Sequence, residues 1–410
     1  MKKALIISNF FPPLNNIAAK RYGIMCKYFE KNGYIPYIIA GAADSRYLGS
    51  KHDLEVPVPE KNIIRVNVEG KIIKSKGVKL LFDFWDKTKF RARIIDSRDV
   101  LWYENVIENI DLNKFKDIDI VIGTYGIAGN LYIAKYIAGK LGCPYIADLR
   151  DFISDFHVMP DGYKHFYQLD YIVERYFLSA ADGIVTISPG QKKIIQRRYP
   201  DKKVVTIFNG WEGDSIENTC DIQAKYIYYA GSMYEHTNTG LKILMKALKK
   251  VNEKENIKMI IRSIGPKEID RKAKKIIKQM GMEHCVRILP AATDDIVKAE
   301  RSRSYINIVL SSVDEVRPEM QSILPGKTYE FMREKVPILA ITSSKSDLAR
   351  LLSYTDKGLG TTAVDEMVKF ILNANGNFAG NRNVEKFSRE NQAARLCKYM
   401  DYIIKTEAVK

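Results

Sequence analysis

The chain has 410 residues, of which 46% are hydrophobic and 28% charged, and a formal net charge of +16 at pH 7. That length exceeds one ordinary core and predicts two domains of about 200 residues each. The composition excludes a disordered chain, and no run of about 18 apolar residues is available to span a membrane as a helix.

The first apolar run, residues 4–11, follows Met1-Lys2-Lys3 and ends at Pro12-Pro13 without a small-residue cleavage site. It reads as a buried strand over 4–8 rather than a secretion signal. A helix is predicted over 19–32 and a strand over 37–40. Residues 71–98 then carry nine Lys and Arg against three Asp, with Leu80, Leu81, Phe82, Phe84, Trp85 and Phe90 among them. Leu80/Leu81 and Phe84/Trp85 are four apart and share a helix face. Basic residues around an aromatic face suit an anionic membrane surface. Strands over 119–122 and 145–147 flank a helix over 129–141. A helix over 163–181, a strand over 183–187, a helix over 190–198 and a strand over 204–208 complete the first half.

Asn209-Gly210 is a turn dipeptide, and the polar stretch that follows to Asp221 marks the domain link. The pattern then restarts. Strands are predicted over 226–229, 257–262, 286–289, 306–309 and 337–340. Helices are predicted over 240–253, 268–280, 294–302, 327–333, 345–352 and 364–373, and a helical tail over 384–405. This alternation predicts parallel sheets with helices on both faces. Ligands of such sheets sit beyond the carboxyl ends of the strands. The Pro13 loop, residues 148–151, the Gly231 loop and the Gly326 turn all fall at such ends. Two domains that face each other would bring these loops to one cleft.

The chemistry reads most clearly at Pro325-Gly326-Lys327-Thr328-Tyr329-Glu330. A helix opening on a Gly turn offers free N–H groups to a phosphate. Glu330, one turn in, suits the vicinal diol of a ribose. Lys327 and Arg262 are candidate cations for a diphosphate leaving group. At the end of the 145–147 strand, Asp151 is placed to position or deprotonate an acceptor hydroxyl. Arg150 is placed to hold an anionic group, or else to pin Asp148 and Asp151. His157 is a weaker base, with nothing to orient it.

The five histidines are far apart and lack paired acidic spacing, so no metal is expected. Five scattered cysteines without a C-x-x-C support neither a zinc knuckle nor a disulfide framework, which fits a reducing cytoplasm. No RNA-binding or helix-turn-helix signature accompanies the positive charge, so no nucleic-acid partner is expected.

Five segments in order resemble glycosyltransferase family 4. They are Ile6 to Pro13 with Ala18-Ala19-Lys20-Arg21; Ile146-Ala147-Asp148-Leu149-Arg150-Asp151, similar to a D-x-R-D strand end of bacterial surface-polysaccharide enzymes; Ala180 to Ser188 with Val204 to Gly210; Tyr228-Tyr229-Ala230-Gly231-Ser232; and the Gly326 to Glu330 stretch. The resemblance implies a GT-B fold of two Rossmann-like, doubly wound domains facing a central cleft. Residues 1–208 would form the acceptor side, 209–383 the nucleotide-sugar side, and 384–410 a helix returning to the first domain.

It further implies retaining sugar transfer from a nucleotide-sugar to a glycan or lipid-linked acceptor, without a cofactor or metal. The place would be the cytoplasmic face of the membrane, in surface-polysaccharide synthesis. Carried over by position, Asp151 and Arg150 are catalytic candidates. Glu330, Lys327, Gly326, Gly231, Ser232, Arg262 and Ser322 are donor-side candidates. Pro13, Asn15, Asn16 and Arg21 form the acceptor loop. The chain departs from the pattern in four places. Ser322 stands where a second Glu is common, Asn15-Asn16 where Gly-Gly is common, and Ser232 and Thr239 where a basic pair is common. These departures keep open a non-catalytic, nucleotide-binding subunit. A nucleotide-sugar epimerase of related fold is the third reading.

Overall fold

The protein is described from a computed structural model. The structure describes residues 1–42, 52–67, 87, 90–91, 97–155, 164–165, 167–214, 216–217, 219–220, 225–233, 237–263, 267–374, 380 and 382–408. The chain divides into two compact units, residues 1–209 with 389–410, and residues 210–388.

Unit 1 is built on a seven-stranded sheet. Its elements are β1 (Lys2–Ile7), α1 (Ile17–Met25), β2 (Tyr34–Gly41), β3 (Ile63–Val66), α2 (Ser97–Asn109), β5 (Ile120–Tyr125), α3 (Ala128–Leu141), β6 (Tyr145–Leu149), α4 (Tyr167–Leu178), β8 (Gly183–Thr186), α5 (Pro189–Arg198) and β9 (Lys203–Thr206). The strand order is β3-β2-β1-β5-β6-β8-β9, and every pair is parallel. Two-residue strands β4 (Phe90–Arg91) and β7 (Lys164–His165) pair separately. The Ile- and Val-rich strands are buried on both faces, as a parallel sheet between helix layers requires. Local signals set the helix ends. Asn16 caps α1 by accepting from the Ala19 N–H at 2.8 Å. Ser188 caps α5, with Pro189 in its first turn.

Unit 2 carries a six-stranded parallel sheet of order β12-β11-β10-β13-β14-β15. Its elements are β10 (Tyr226–Gly231), α6 (Asn238–Asn252), β11 (Lys258–Ser263), α7 (Lys267–Gln279), β12 (Val286–Leu289), α8 (Asp294–Ser302), β13 (Ile306–Leu310), α9 (Pro318–Gln321), α10 (Lys327–Met332), β14 (Ile338–Ile341), α11 (Asp347–Thr355), β15 (Gly358–Thr361) and α12 (Val364–Asn373). The last helix, α13 (Arg389–Glu407), belongs to unit 1. There Leu396, Met400 and Ile403 join the core around Ile6, Ile38 and Ile120. The Tyr399 hydroxyl accepts from the Ile184 N–H at 3.0 Å. A Cβ on Gly183 would lie 2.5 Å from that hydroxyl, so the close approach needs glycine.

Two doubly wound sheets are what the strand–helix alternation predicts. Several elements differ from the sequence reading. The predicted helix over 19–32 ends at Met25 and continues as two 3-10 turns, Cys26–Tyr28 and Glu30–Asn32, closed by Gly33 at φ 85°. Strands β3 and β15 and helix α2 were not anticipated. β15 contains Gly358, and a Cβ there would stand 1.8 Å from the Ile338 carbonyl oxygen. The glycine that disguises this strand is the one that lets it pack on β14. The basic segment 71–98 lies outside the described residues except at 87, 90–91 and 97–98, and His157 also lies outside them. Among the described residues, no helix is long and apolar enough to cross a membrane.

Candidate functional site

In unit 2 the chain lays β11 and β12 to one side of β10 and β13 to β15 to the other. In open parallel sheets, ligands bind beyond the carboxyl end of the strand where the order reverses. That strand, β10, ends at Gly231, whose φ of 141° favours glycine. A Cβ there would come within 2.5 Å of the Lys327 ammonium. Lys327, the first residue of α10, donates to the Ala230 carbonyl at 2.9 Å. Its Nζ also sits 4.1 Å from the centre of the Tyr229 ring. Burial lowers the Lys327 pKa to about 8, and the nearby charge of Glu330 opposes that shift. Tyr229 in turn donates to the Ser232 carbonyl at 2.8 Å, which fixes the loop. Gly231, Ser232, Lys327 and Glu330 therefore lie together.

Glu330 is half exposed and accepts from Arg301 Nη1 at 3.1 Å through one oxygen. Arg301 Nε pairs with the wholly buried Glu334. Glu334 also accepts from Asn307 at 3.0 Å, and its carbonyl accepts from the buried Lys357 at 2.6 Å. Burial raises the Glu334 pKa to about 7 against the pull of Arg301. It lowers that of Lys357 to about 8 against the pull of Glu334. Sequence reasoning named Glu330 but missed Arg301, Glu334 and Lys357, which hold it from below. The recurrence of Glu330 and Glu334 at i and i+4 was the available signal.

The other donor-side candidates are differently placed. Gly326 precedes α10 with helical φ of −56°, and α10 is only six residues long. The Thr328 and Tyr329 N–H groups are used by the Pro325 and Gly326 carbonyls at 3.0 and 3.1 Å. Arg262 pairs with Glu300 through two nitrogens and donates to the Pro290 carbonyl at 2.8 Å. Ser322 is buried at the end of α9 and donates to the Glu319 carbonyl at 2.8 Å.

In unit 1, Arg21 is 2% exposed and grips Asp148 with both sides of its fork, at 2.8 and 2.9 Å. It also donates to the Ile207 carbonyl at 3.2 Å and to Asn209 at 3.0 Å. Arg21 thus ties α1, the end of β6 and the chain beyond β9 together, and Asp148 is pinned by Arg21 rather than by Arg150. Asn15 donates to Asp53 at 2.8 Å, and Pro13 accepts from the Leu54 N–H at 3.0 Å. Asn16 is spent on the helix cap. Asp151 is exposed beyond β6. The Arg150 guanidinium reaches Gly126 beyond β5. Burial lowers the Arg150 pKa, against the attraction of Asp151 and with the repulsion of Arg21.

No protein-family model matches the chain, and no curated protein matches it. Solved structures match along its whole length. The lipopolysaccharide outer core galactosyltransferase WaaB superposes with a TM-score of 0.59 at 14% identity, over 99% of this chain and 100% of its own. HepE of Anabaena, solved with UDP and glucose, gives 0.55 at 12%, over 100% and 98%. The UDP-GlcNAc 2-epimerase of Methanocaldococcus jannaschii gives 0.52 at 12%, over 98% and 100%. At such identities the likeness is one of fold, and that fold is GT-B, two doubly wound α/β domains in one chain.

Proposed function

We propose that the protein transfers a sugar from a nucleotide-sugar to a glycan or lipid-linked acceptor, with retention at the anomeric carbon, during synthesis of a surface polysaccharide. The observation that carries this reading is the Lys327 ammonium lodged beside Gly231 at the carboxyl end of β10, with Glu330 near it. In transfer, the bond from the anomeric carbon to the diphosphate breaks, and negative charge gathers on the departing phosphate. A partly desolvated cation next to a residue without a side chain suits that charge. Glu330 keeps an oxygen for a ribose diol while Arg301 steadies the other.

Asp151 serves the acceptor hydroxyl. The new bond joins its oxygen to the anomeric carbon, and its proton passes to Asp151 or to the leaving phosphate. WaaB is named as a galactosyltransferase and HepE was solved with UDP and glucose, which agrees with this reading. The work is assigned to the cytoplasmic face of an anionic membrane, which the 71–98 segment contacts.

A second reading, epimerisation of a nucleotide-sugar, has the epimerase neighbour in its favour. Incubation with a panel of nucleotide-sugars separates the two. Transfer, or slow hydrolysis in place of it, releases a nucleoside diphosphate. Epimerisation leaves the sugar on the nucleotide, and a protein that only binds changes nothing.

A further inference from the structure

The helical layer of unit 1 carries a groove of about 350 Å³ between α2, α3 and α4. Tyr103, Tyr132, Tyr136 and Tyr176 line it, with Lys135 and Lys140. Helix α3 starts after the carboxyl end of β5 and runs back to the start of β6, so Lys140 lies about 18 Å along its axis from Ala128. The groove therefore extends down the flank of the unit, away from the strand end that carries Asp151. Its rings are locked together. Tyr103 packs edge-on against Tyr132 with centroids 4.2 Å apart, and Tyr132 lies 6.0 Å from Tyr176. The buried Phe177 meets Tyr132 and Tyr176 edge-on, at 6.0 and 5.3 Å. The Lys135 ammonium sits 3.2 Å from the centre of the Tyr176 ring.

Even so, Tyr132 is 39% exposed and Tyr176 47%. Scattered exposed aromatics are ordinary, but a fixed cluster of them around a hollow marks an interaction surface. Charge and shape select what it takes. The charges that α3 and α4 turn to solvent are Lys135, Lys140 and Arg175, while their two carboxylates, Asp170 and Glu174, are wholly buried. That lining suits an anion. Between the two lysines stands Gly139, and a Cβ there would meet nothing within 4 Å among the described residues. A helical glycine costs about 1 kcal/mol against alanine, and here it leaves the hollow open. Flat rings edged with hydroxyls match the flat C–H face of a pyranose. The phenols and an ammonium can bond to its hydroxyls and to a carboxylate. A lipid surface calls for a protruding apolar face, not a hollow with a polar rim.

We propose that the groove between α2, α3 and α4 is a glycan-binding site separate from the transfer site, which takes an acidic oligosaccharide with its sugar rings on Tyr132 and Tyr176 and a carboxylate at Lys140. From Tyr132 to Lys140 the groove is about 12 Å long, more than one sugar ring. The use of the site rests on the transferase reading: it holds a stretch of the growing acceptor chain. The binding itself does not rest on that reading.

The test is binding of tetragalacturonate and of neutral maltotetraose, by calorimetry and by saturation-transfer NMR at low and high salt. Wild type is expected to bind tetragalacturonate more tightly than maltotetraose, with saturation strongest on the ring C–H protons and affinity falling as salt rises. Tyr176→Ala should lose about tenfold in affinity. Lys140→Glu should weaken the acidic ligand and leave the neutral one little changed. Gly139→Leu puts a helix-favouring side chain into open space, so it should melt no lower than wild type and yet lose binding, because it fills the hollow. A wild type that does not bind tetragalacturonate or prefers maltotetraose would overturn the site. So would a Tyr176→Ala or Gly139→Leu protein that binds it unchanged. Acidic vesicles that bind wild type and are released by Gly139→Leu would overturn the glycan in favour of a lipid surface. None of these measurements needs a donor or sugar transfer, so failure of the transferase reading registers separately.

Discussion

Arg301 and Glu334 form a buried ion pair, and the same guanidinium reaches out to the half-exposed Glu330. Removing one partner of a buried pair leaves the other charge uncompensated. Arg301→Ala is therefore expected to cost about 3–5 kcal/mol in urea unfolding. Arg301→Lys should recover part of this, since an ammonium cannot fork to both carboxylates. An unchanged unfolding midpoint for Arg301→Ala would contradict the pairing.

The Lys327 pKa of about 8 makes two pH statements. The unfolded lysine holds its proton up to about pH 10.5, so between pH 8 and 10.5 the unfolded chain binds more protons. Stability from this group therefore rises with pH across that window and is lowest below it. Lys357 acts in the same direction. Lys327→Met is expected to stabilise the protein at pH 7 by on the order of 1–3 kcal/mol and to flatten part of the rise. Nucleoside diphosphate affinity should move the other way, falling above pH 8 in wild type and staying flat in Lys327→Met. Calorimetry at several pH values reads both variants.

Glu330 and Asp151 are expected to fail differently. Glu330→Ala removes charge-assisted hydrogen bonds to the ribose, about 1.5–3 kcal/mol, or roughly ten- to a hundredfold in donor binding. Its fold should survive, because the side chain is half exposed. Asp151→Asn should lower transfer strongly with nucleotide affinity near normal. Joint loss of binding and transfer in Asp151→Asn would mark a structural role instead.

The segment 71–98 pairs basic with aromatic residues. Each basic residue near an anionic bilayer contributes about 1 kcal/mol, screened by salt. Wild type should float with acidic vesicles at low salt. Replacing Lys87, Lys89, Arg91 and Arg93 with Ser should release it, and Trp85→Ser should weaken binding even at high salt. Wild type that ignores such vesicles would leave the segment as a solvated basic face.

The strand pattern carried the fold, because short apolar runs such as Ile120 to Tyr125 and Ile306 to Leu310, spaced between helical stretches, suit buried strands of a parallel sheet. Short edge strands failed to register. β3 has four residues and β15 begins on a glycine. At the site, Gly231, Lys327 and Glu330 were each legible from a local turn or helix. What they touch was not. Arg301 looked like one charge on the polar face of α8, and its partners come 29 and 33 residues later. Arg21 and Asp148 are 127 residues apart, so their pairing required the folded sheet.

In the proposed reaction the anomeric bond of a nucleotide-sugar is broken and remade on another oxygen. The most direct measurement follows a donor labelled with carbon-13 at the anomeric position by NMR, with wild type and Glu330→Ala side by side. The labelled carbon should leave its phosphate as free nucleoside diphosphate appears. The label should reappear on acceptor or water in the same anomeric configuration, more slowly with Glu330→Ala. A label that stays on phosphate with every donor tried, or changes stereochemistry elsewhere in the sugar while still attached, would contradict it.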